Sequence, residues 1–300
     1  MSTNTTAPPM TADIAEGTGP LYLSRLRLNL RHPRIQRTIG DAQALHQLVM
    51  ALFPTMESER ARAAMSVLHR LDEAQPKPGV VATPSMRSDD PVLIVQSAIP
   101  PRLDGPESGW FAEMLADGLG SEALVTRDVG PTFAGILDGQ RLGFRLRANP
   151  TKRLSLQRPD DPDHWAGPTD TLLARHRADG KGTGPRVALL REAEQLDWLA
   201  RQGERHGFRL LLQERTWTPG GAADGSTAGD TPDAGPLYAV RTAKQTMRGR
   251  RGKAPLTHLA VTFDGELTVT DADRFRAALR DGIGPARAYG FGLLSVRRPR

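Results

Sequence analysis

The chain has 300 residues, 38% of them apolar, and a formal charge of +6 from 40 Lys+Arg against 34 Asp+Glu. That is enough for one large domain or two ordinary ones, each with a buried core. It contains no cysteine, which excludes disulfides, thiolate nucleophiles, iron–sulfur clusters and cysteine-ligated zinc. No apolar run approaches the roughly 18 residues of a membrane helix. Met1–Pro20 carries neither Lys or Arg nor an apolar stretch, so no secretory signal is read there. A soluble, cytoplasmic chain with no membrane partner is expected.

Ser2–Pro20 is rich in Thr, Ala, Pro and Gly and reads as a flexible tail over 1–20. Leu21–Leu30 alternates, with Leu26, Leu28 and Leu30 on one face and Arg25, Arg27 and Asn29 on the other, as in a half-buried strand. Asp41 is placed to cap a helix whose stripe is Leu45, Leu48, Val49 and Leu52, ended by Phe53-Pro54. Arg62–Arg70 and Val92–Ser97 read as strands joined by a Pro- and Gly-rich loop over Glu73–Pro91. Trp110–Leu119 reads as a helix, and Leu124–Val129 as a closing strand.

A second series opens with a strand from Arg141. A helix over Leu190–Gln202 and a strand over Phe208–Thr216 follow. Pro219–Pro236 has no apolar pattern and reads as a flexible insertion. Strands near His258–Phe263 and at Glu266–Val269, a helix over Asp271–Arg280, a glycine-rich loop and a strand over Leu293–Arg297 complete the series. Each series is β-α-β-β-α-β, so the fold class is α+β with tandem ferredoxin-like (RRM-like) domains over 21–135 and 136–300.

More than half of the basic residues fall in four segments nearly free of acids. Arg25, Arg27, Arg31, Arg34 and Arg37 precede the capped helix. Arg141, Arg145, Arg147, Lys152, Arg153 and Arg158 surround the second series' first strand. Arg241, Lys244, Arg248, Arg250, Arg251 and Lys253 form a run that reads as a hairpin suited to a groove. Arg274, Arg276, Arg280, Arg287, Arg297, Arg298 and Arg300 crowd the end of the sequence. Together they suggest a surface that tracks phosphates. Aromatics are only 5% and no RNP1-like run exists, so backbone or duplex-shape recognition is favoured over base stacking.

Residues 282–292 spell GIGPARAYGFG. Arg287 stands where a dinucleotide fingerprint needs its third glycine, and the loop follows a helix rather than a strand. Gly282, Gly284, Gly290 and Gly292, with Arg287 between them, instead suggest backbone N–H groups approaching a nucleic-acid backbone.

Here the residues resemble a known family. YLSRLRLN (22–29), LHQLVMALFP (45–54), FRLRANPTKR (144–153), LLREAEQLDWL (189–199), DGELTVTDADRF (264–275) and GIGPARAYGFGLLSV (282–296) run in the order found in the CRISPR repeat-RNA endoribonucleases of the Cascade type, the CasE family of the RAMP group. The resemblance implies tandem ferredoxin-like domains and metal-independent cleavage of CRISPR precursor RNA at the base of the repeat hairpin. It implies no cofactor. It also implies a product kept bound beside the Cascade backbone subunits. The family's helix-borne histidine falls on His46.

Cleavage without metal needs a base for the 2′-OH proton and an acid for the departing 5′-oxygen, and a histidine serves either task. His46 lies one residue off the apolar stripe, on a face with Gln43, Gln47 and Met50. The family often has tyrosine three residues before this histidine. Here it is Gln43, which can orient a water or phosphate but carries no titratable proton, leaving open whether His46 is base, acid or both. Arg25 or Arg27 is a candidate oxyanion stabiliser. His32, His69, His176, His206 and His258 read as surface or structural. Asp160–His164 reads as a solvated loop rather than a metal site. The competing readings are a hairpin-binding subunit of the same complex with little catalysis, and an unrelated RNA-binding protein of the same fold.

Overall fold

The computed structural model describes residues 19–56, 61–72, 91–103, 109–115, 123–154, 174, 178, 183–211, 240–251 and 254–299. Residues 1–18 of the expected tail, most of the 73–91 loop, the Asp160–His164 segment and the 219–236 insertion lie outside them.

The alternation at Leu26 and Leu28 makes β1 (Tyr22–Arg27) a strand with one apolar face. Two helices follow it, α1 (Pro33–Ile39) and α2 (Ala42–Met50). The first was not anticipated. Pro33 opens it from a first-turn position where the missing N–H costs nothing, and it buries only Ile35 and Thr38, too few to leave a period. Asp41 caps α2 as expected, its Oδ1 accepting from Gln43 N at 2.8 Å and Ala44 N at 3.0 Å. The stretch expected as a strand from Arg62 is instead the turn of helix α3 (Ala61–Ala64), a left-handed Ser66 with φ 50°, and then β2 (Leu68–Asp72). β3 (Val92–Ser97) forms as expected. Of the expected 110–119 helix, the described part is a 3-10 turn over Gly109–Met114 and residues 116–119 lie outside the described residues; β4 (Leu124–Asp128) closes the half.

The strands hydrogen-bond in the order β2-β3-β1-β4, all antiparallel. This is the split βαβ order of a ferredoxin-like domain. Leu26, Val95, Leu45, Leu48, Val49 and Phe111 share its core between sheet and helices.

The second half starts with α4 (Gly130–Ala134) and β5 (Arg141–Ala148), followed by a two-stranded side sheet of β6 (Thr151–Arg153) and β7 (Arg186–Ala188). Then come α5 (Glu192–Arg205), β8 (Phe208–Leu210), β9 (Val240–Arg251), β10 (Ala254–Val269), α6 (Ala272–Asp281) and β11 (Leu294–Arg297). The order β11-β5-β10-β8 repeats the first domain's pattern, and the tandem ferredoxin-like architecture stands. Its core gathers Phe144, Trp198, Phe208, Phe263, Phe275 and Leu279, with Phe208 meeting Phe275 edge-on at 5.8 Å.

Two strands were expected at 258–263 and 266–269, but β10 is one strand of 16 residues. Asp264-Gly265 looks like a turn in isolation. In the sheet Asp264 lies opposite Arg145 and accepts from its Nε at 2.7 Å, which holds the strand through the glycine. β8 and β9 lie along the same edge of β10. β5 ends opposite Val261, so residues 254–260 pair with β9 alone, as the arginine-rich hairpin that the sequence suggested.

The domains join along β2. Arg70 is 3% exposed. It grips Asp72 at 2.7 and 3.0 Å and reaches across to Leu293 O at 3.2 Å, Ser295 Oγ at 3.0 Å and Arg145 O at 3.4 Å. Arg147 Nη1 donates back to Leu71 O at 2.9 Å. Gln96 Nε2 donates to Leu279 O at 2.8 Å and Arg280 O at 3.1 Å, satisfying last-turn carbonyls of α6 from the other domain.

Candidate active site at the domain seam

Because α2 buries Leu45, Leu48 and Val49, His46 is set on its flank. Four elements converge there. His69, on β2, pairs in register with Val95 and points to the sheet face that carries α2. Its ring stacks on His46 at 6.4 Å and 18°. From the glycine-rich loop, Tyr289 meets His46 edge-on at 6.3 Å and 70°. Tyr289 also stacks on His258 of β10 at 5.3 Å and 27°, and Phe291 meets His258 edge-on at 5.7 Å. Ala42, Ala260 and Phe291 pack beneath this row of rings, joining α2, β10 and the loop in one small cluster.

The loop reaches this place through its backbone. Gly282, Gly284, Gly290 and Gly292 all have φ near +80 to +90° (79, 83, 84 and 89°), which favours glycine. Gly290 lies against the His69 ring, where a Cβ would stand 3.4 Å from Nε2 in ordinary contact, so the positive φ of 84° rather than lack of space calls for glycine there. Gly282 N donates to Ala278 O and Gly292 N to Arg147 O, at 2.9 and 2.8 Å, and Ile283 N closes the loop onto Gly292 O. These N–H groups are already bonded within the protein. The glycines were expected to open the backbone to phosphate; the geometry gives Gly282 and Gly292 a packing role instead. Arg287 Nε donates to Gly284 O at 3.0 Å, bracing the loop.

Burial, and then the Arg62 cation, hold the His46 imidazolium below its ordinary pKa, so the ring is neutral at pH 7. Its Nδ1 is buried with no hydrogen-bond partner among the described residues, so Nε2 is the nitrogen a substrate can reach. Arg62 is fixed by donating from Nη1 to Val67 O at 2.9 Å. His258 is lowered by burial; its Nδ1 is bonded to Asn149 Nδ2 at 3.2 Å, and since an amide nitrogen only donates, Nδ1 accepts.

His69 is pulled down to about 3, chiefly by complete burial and then by His46, Arg62 and Arg147. Protonation is therefore favoured in the unfolded chain between pH 6.5 and 3, and stability present above pH 6.5 is lost as the pH falls. One such group costs at most about 1.4 kcal/mol per pH unit, or about 2 kcal/mol between pH 6.5 and 5. Denaturant titrations at the two pH values should show this loss shrinking by that amount in His69→Phe.

Of the residues singled out in the sequence, Gln43 shares the α2 flank with His46. Arg25 and Arg27 do not join it. Leu26 faces α2, so the strand's alternation sends both arginines to the opposite side of the sheet, away from the imidazole. Arg147 is buried in the seam on the Leu71 carbonyl rather than facing outward. Lys152 is exposed and bonds Glu194 at 3.4 Å, with Arg153 exposed beside it on the side sheet. Arg241, Lys244, Arg248, Arg250 and Arg251 fall on β9, which packs beside α2, and Lys253 lies outside the described residues. The sequence reading missed Arg62, Tyr289 and the placement of His69 and His258 at the site. No spacing links them; only the register of β2 and the loop's run of positive-φ glycines hint at the convergence.

Residues 21–298 match the family described as CRISPR associated protein. The chain is 31% identical over 278 residues to the CRISPR-associated endoribonuclease Cse3 of Thermus thermophilus, covering 92% of this chain and 99% of that one. It is 32% identical over 160 residues to the Cascade subunit CasE of Escherichia coli, 53% of this chain and 58% of that one. The structure of Thermus thermophilus Cse3 bound to an RNA representing a pre-cleavage complex is similar with a TM-score of 0.59 and 29% identity, over 93% of this chain and 99% of that one. The convergence on His46 is thus set in a fold and a sequence shared over nearly the whole length of Cse3 and over about half of CasE, and the chain belongs to the CRISPR-associated endoribonuclease family of Cse3 and CasE.

Proposed function

We propose that this chain cuts CRISPR precursor RNA at the repeat hairpin, using its own side chains rather than a metal, and keeps the product as a subunit of a Cascade-type complex. The reading of the substrate is supported by the relative named a CRISPR-associated endoribonuclease, matched over nearly its whole length, and by that relative's RNA-bound structure. The complex is supported by the relative named a Cascade subunit. The chemistry is carried by one observation: a neutral histidine, His46, with a single reachable nitrogen, set where both domains meet.

In that chemistry His46 Nε2 takes the proton of the 2′-hydroxyl beside the scissile phosphate. The 2′-oxygen attacks phosphorus, the bond to the 5′-oxygen breaks, and a 2′,3′-cyclic phosphate and a 5′-hydroxyl are left. The β9–β10 hairpin, with Arg248, Arg250 and Arg251 at its outer end, and Lys152 and Arg153 on the side sheet, supply charge to hold the RNA backbone.

The experiment is cleavage of the chain's own repeat hairpin in excess EDTA, with end-group analysis of the products. Cleavage is expected to persist, to leave a cyclic phosphate, and to stop when the scissile nucleotide is 2′-deoxy. A requirement for added metal, or cleavage of the 2′-deoxy substrate, overturns the mechanism. Tight hairpin binding without any cleavage favours the binding-subunit reading.

A further inference from the structure

A neutral base at His46 leaves the other half of the reaction unassigned, because the departing 5′-oxygen still has to be protonated. The groups around His46 can be taken in turn. The Gln43 amide has no titratable proton, and the Arg62 guanidinium does not surrender one. His69 is completely enclosed, under the loop at Gly290. His258 has Nδ1 occupied by Asn149, and its Nε2 is buried. Tyr289 is different. It is partly exposed, and its hydroxyl makes no hydrogen bond to another described residue.

The ring of Tyr289 is also held in one place. His258 lies flat against it and His46 meets it edge-on. The 3-10 turn that carries it is bounded by left-handed residues, Ala286 at φ 63° and Gly290 at φ 84°, and tied by Tyr289 N donating to Ala286 O at 2.8 Å. A non-glycine residue in that conformation is strained, and surrounding packing must hold it there. The packing that does so is the Ala42–Ala260–Phe291 cluster, against which Ala286 and Tyr289 both lie. A phenol fixed beside a catalytic base is pre-organised for proton transfer in a way a mobile side chain is not.

We infer that Tyr289 is the general acid of the cleavage, its hydroxyl protonating the 5′-oxygen as His46 deprotonates the 2′-oxygen. The inference rests on the RNA-cleavage reading given above. Atoms balance as follows. The 2′-O–H proton passes to His46 Nε2, the 2′-O–P bond forms and the P–O5′ bond breaks. The phenolic proton passes to O5′, leaving a phenolate beside an imidazolium, and transfer of the proton between them, directly or through water, restores both groups. In this arrangement the glycine-rich loop is part of the reaction centre, delivering its second proton-bearing group.

The test is Tyr289→Phe, which keeps the ring and its stacking and removes only the hydroxyl. Single-turnover cleavage of the natural hairpin is expected to fall by about 10²–10⁴-fold, the usual worth of a positioned acid, with hairpin affinity unchanged. A second substrate carries sulfur in place of the bridging 5′-oxygen at the scissile linkage. Its thiolate departs without needing a proton, since thiols are far stronger acids than alcohols. On it Tyr289→Phe should cleave at close to the wild-type rate, while His46→Ala stays slow on both substrates. A natural-substrate rate unchanged in Tyr289→Phe, or an equal loss on the oxygen and sulfur substrates, overturns the inference. Wild-type protein that fails to cut either substrate in EDTA overturns the cleavage reading beneath it instead.

Discussion

His46→Ala is expected to slow cleavage of the repeat hairpin by about 10²–10⁴-fold while leaving hairpin affinity intact, since a positioned base contributes that much and the imidazole is small beside the basic surface. The pH profile gives a sharper signature. The base works only as neutral imidazole, and burial with Arg62 holds its pKa below the ordinary 6.5. Activity should therefore persist as the pH falls to 6.5 and decline only below it. Arg62→Met removes the second of those causes, so the acid limb should move upward towards 6.5 without a comparable loss of rate at pH 8. An acid limb at or above 6.5 in the wild type, or one that Arg62→Met leaves in place, would remove His46 from the base role.

Arg70→Met is expected to cost about 3–5 kcal/mol of stability, the largest effect on folding of any substitution considered. The side chain is almost wholly enclosed and its guanidinium holds Asp72 through two hydrogen bonds. Methionine fills much of the space but leaves Asp72, among the described residues, with only the Arg145 guanidinium, 4.0 Å away. It also leaves Leu293 O and Ser295 Oγ without the donor that reaches them across the seam. Urea titrations followed by tryptophan fluorescence would measure it. Trp198 lies in the second domain's core, so its signal also reports whether the second domain still unfolds in one step with the first. A shift in midpoint worth less than about 1 kcal/mol would show that the seam does not depend on this residue.

What the sequence made legible is what local periodicity encodes. The Leu26–Leu28 alternation, the Asp41 cap with its Leu45–Leu48–Val49 stripe, and the β-α-β-β-α-β rhythm all reappear. Local pattern failed where tertiary contacts decide. Asp264-Gly265 reads as a turn until Arg145 lies opposite it, and α1 is a helix despite burying only two side chains. In the site, His46 was visible because a polar residue beside an apolar stripe marks a helix flank, and because the resemblance fell on it. His69, Tyr289 and His258 were not, for they come from a strand, a loop and a second strand separated by most of the chain. Their meeting is a property of how two sheets dock, which no spacing records. The placement of Arg27 away from His46 was hidden for a related reason: alternation says which residues share a face, but not which face receives the helix.

β2 sends Arg70 one way and His69 the other, so consecutive residues bind the two halves of the fold and stack on His46. This has a consequence during synthesis. A ribosome that has released only the first domain has already exposed His46 and His69, yet the ring of Tyr289 and the cover of Gly290 are still unmade. The row of rings around His46 therefore exists only once the glycine-rich loop has been made and the two sheets have met.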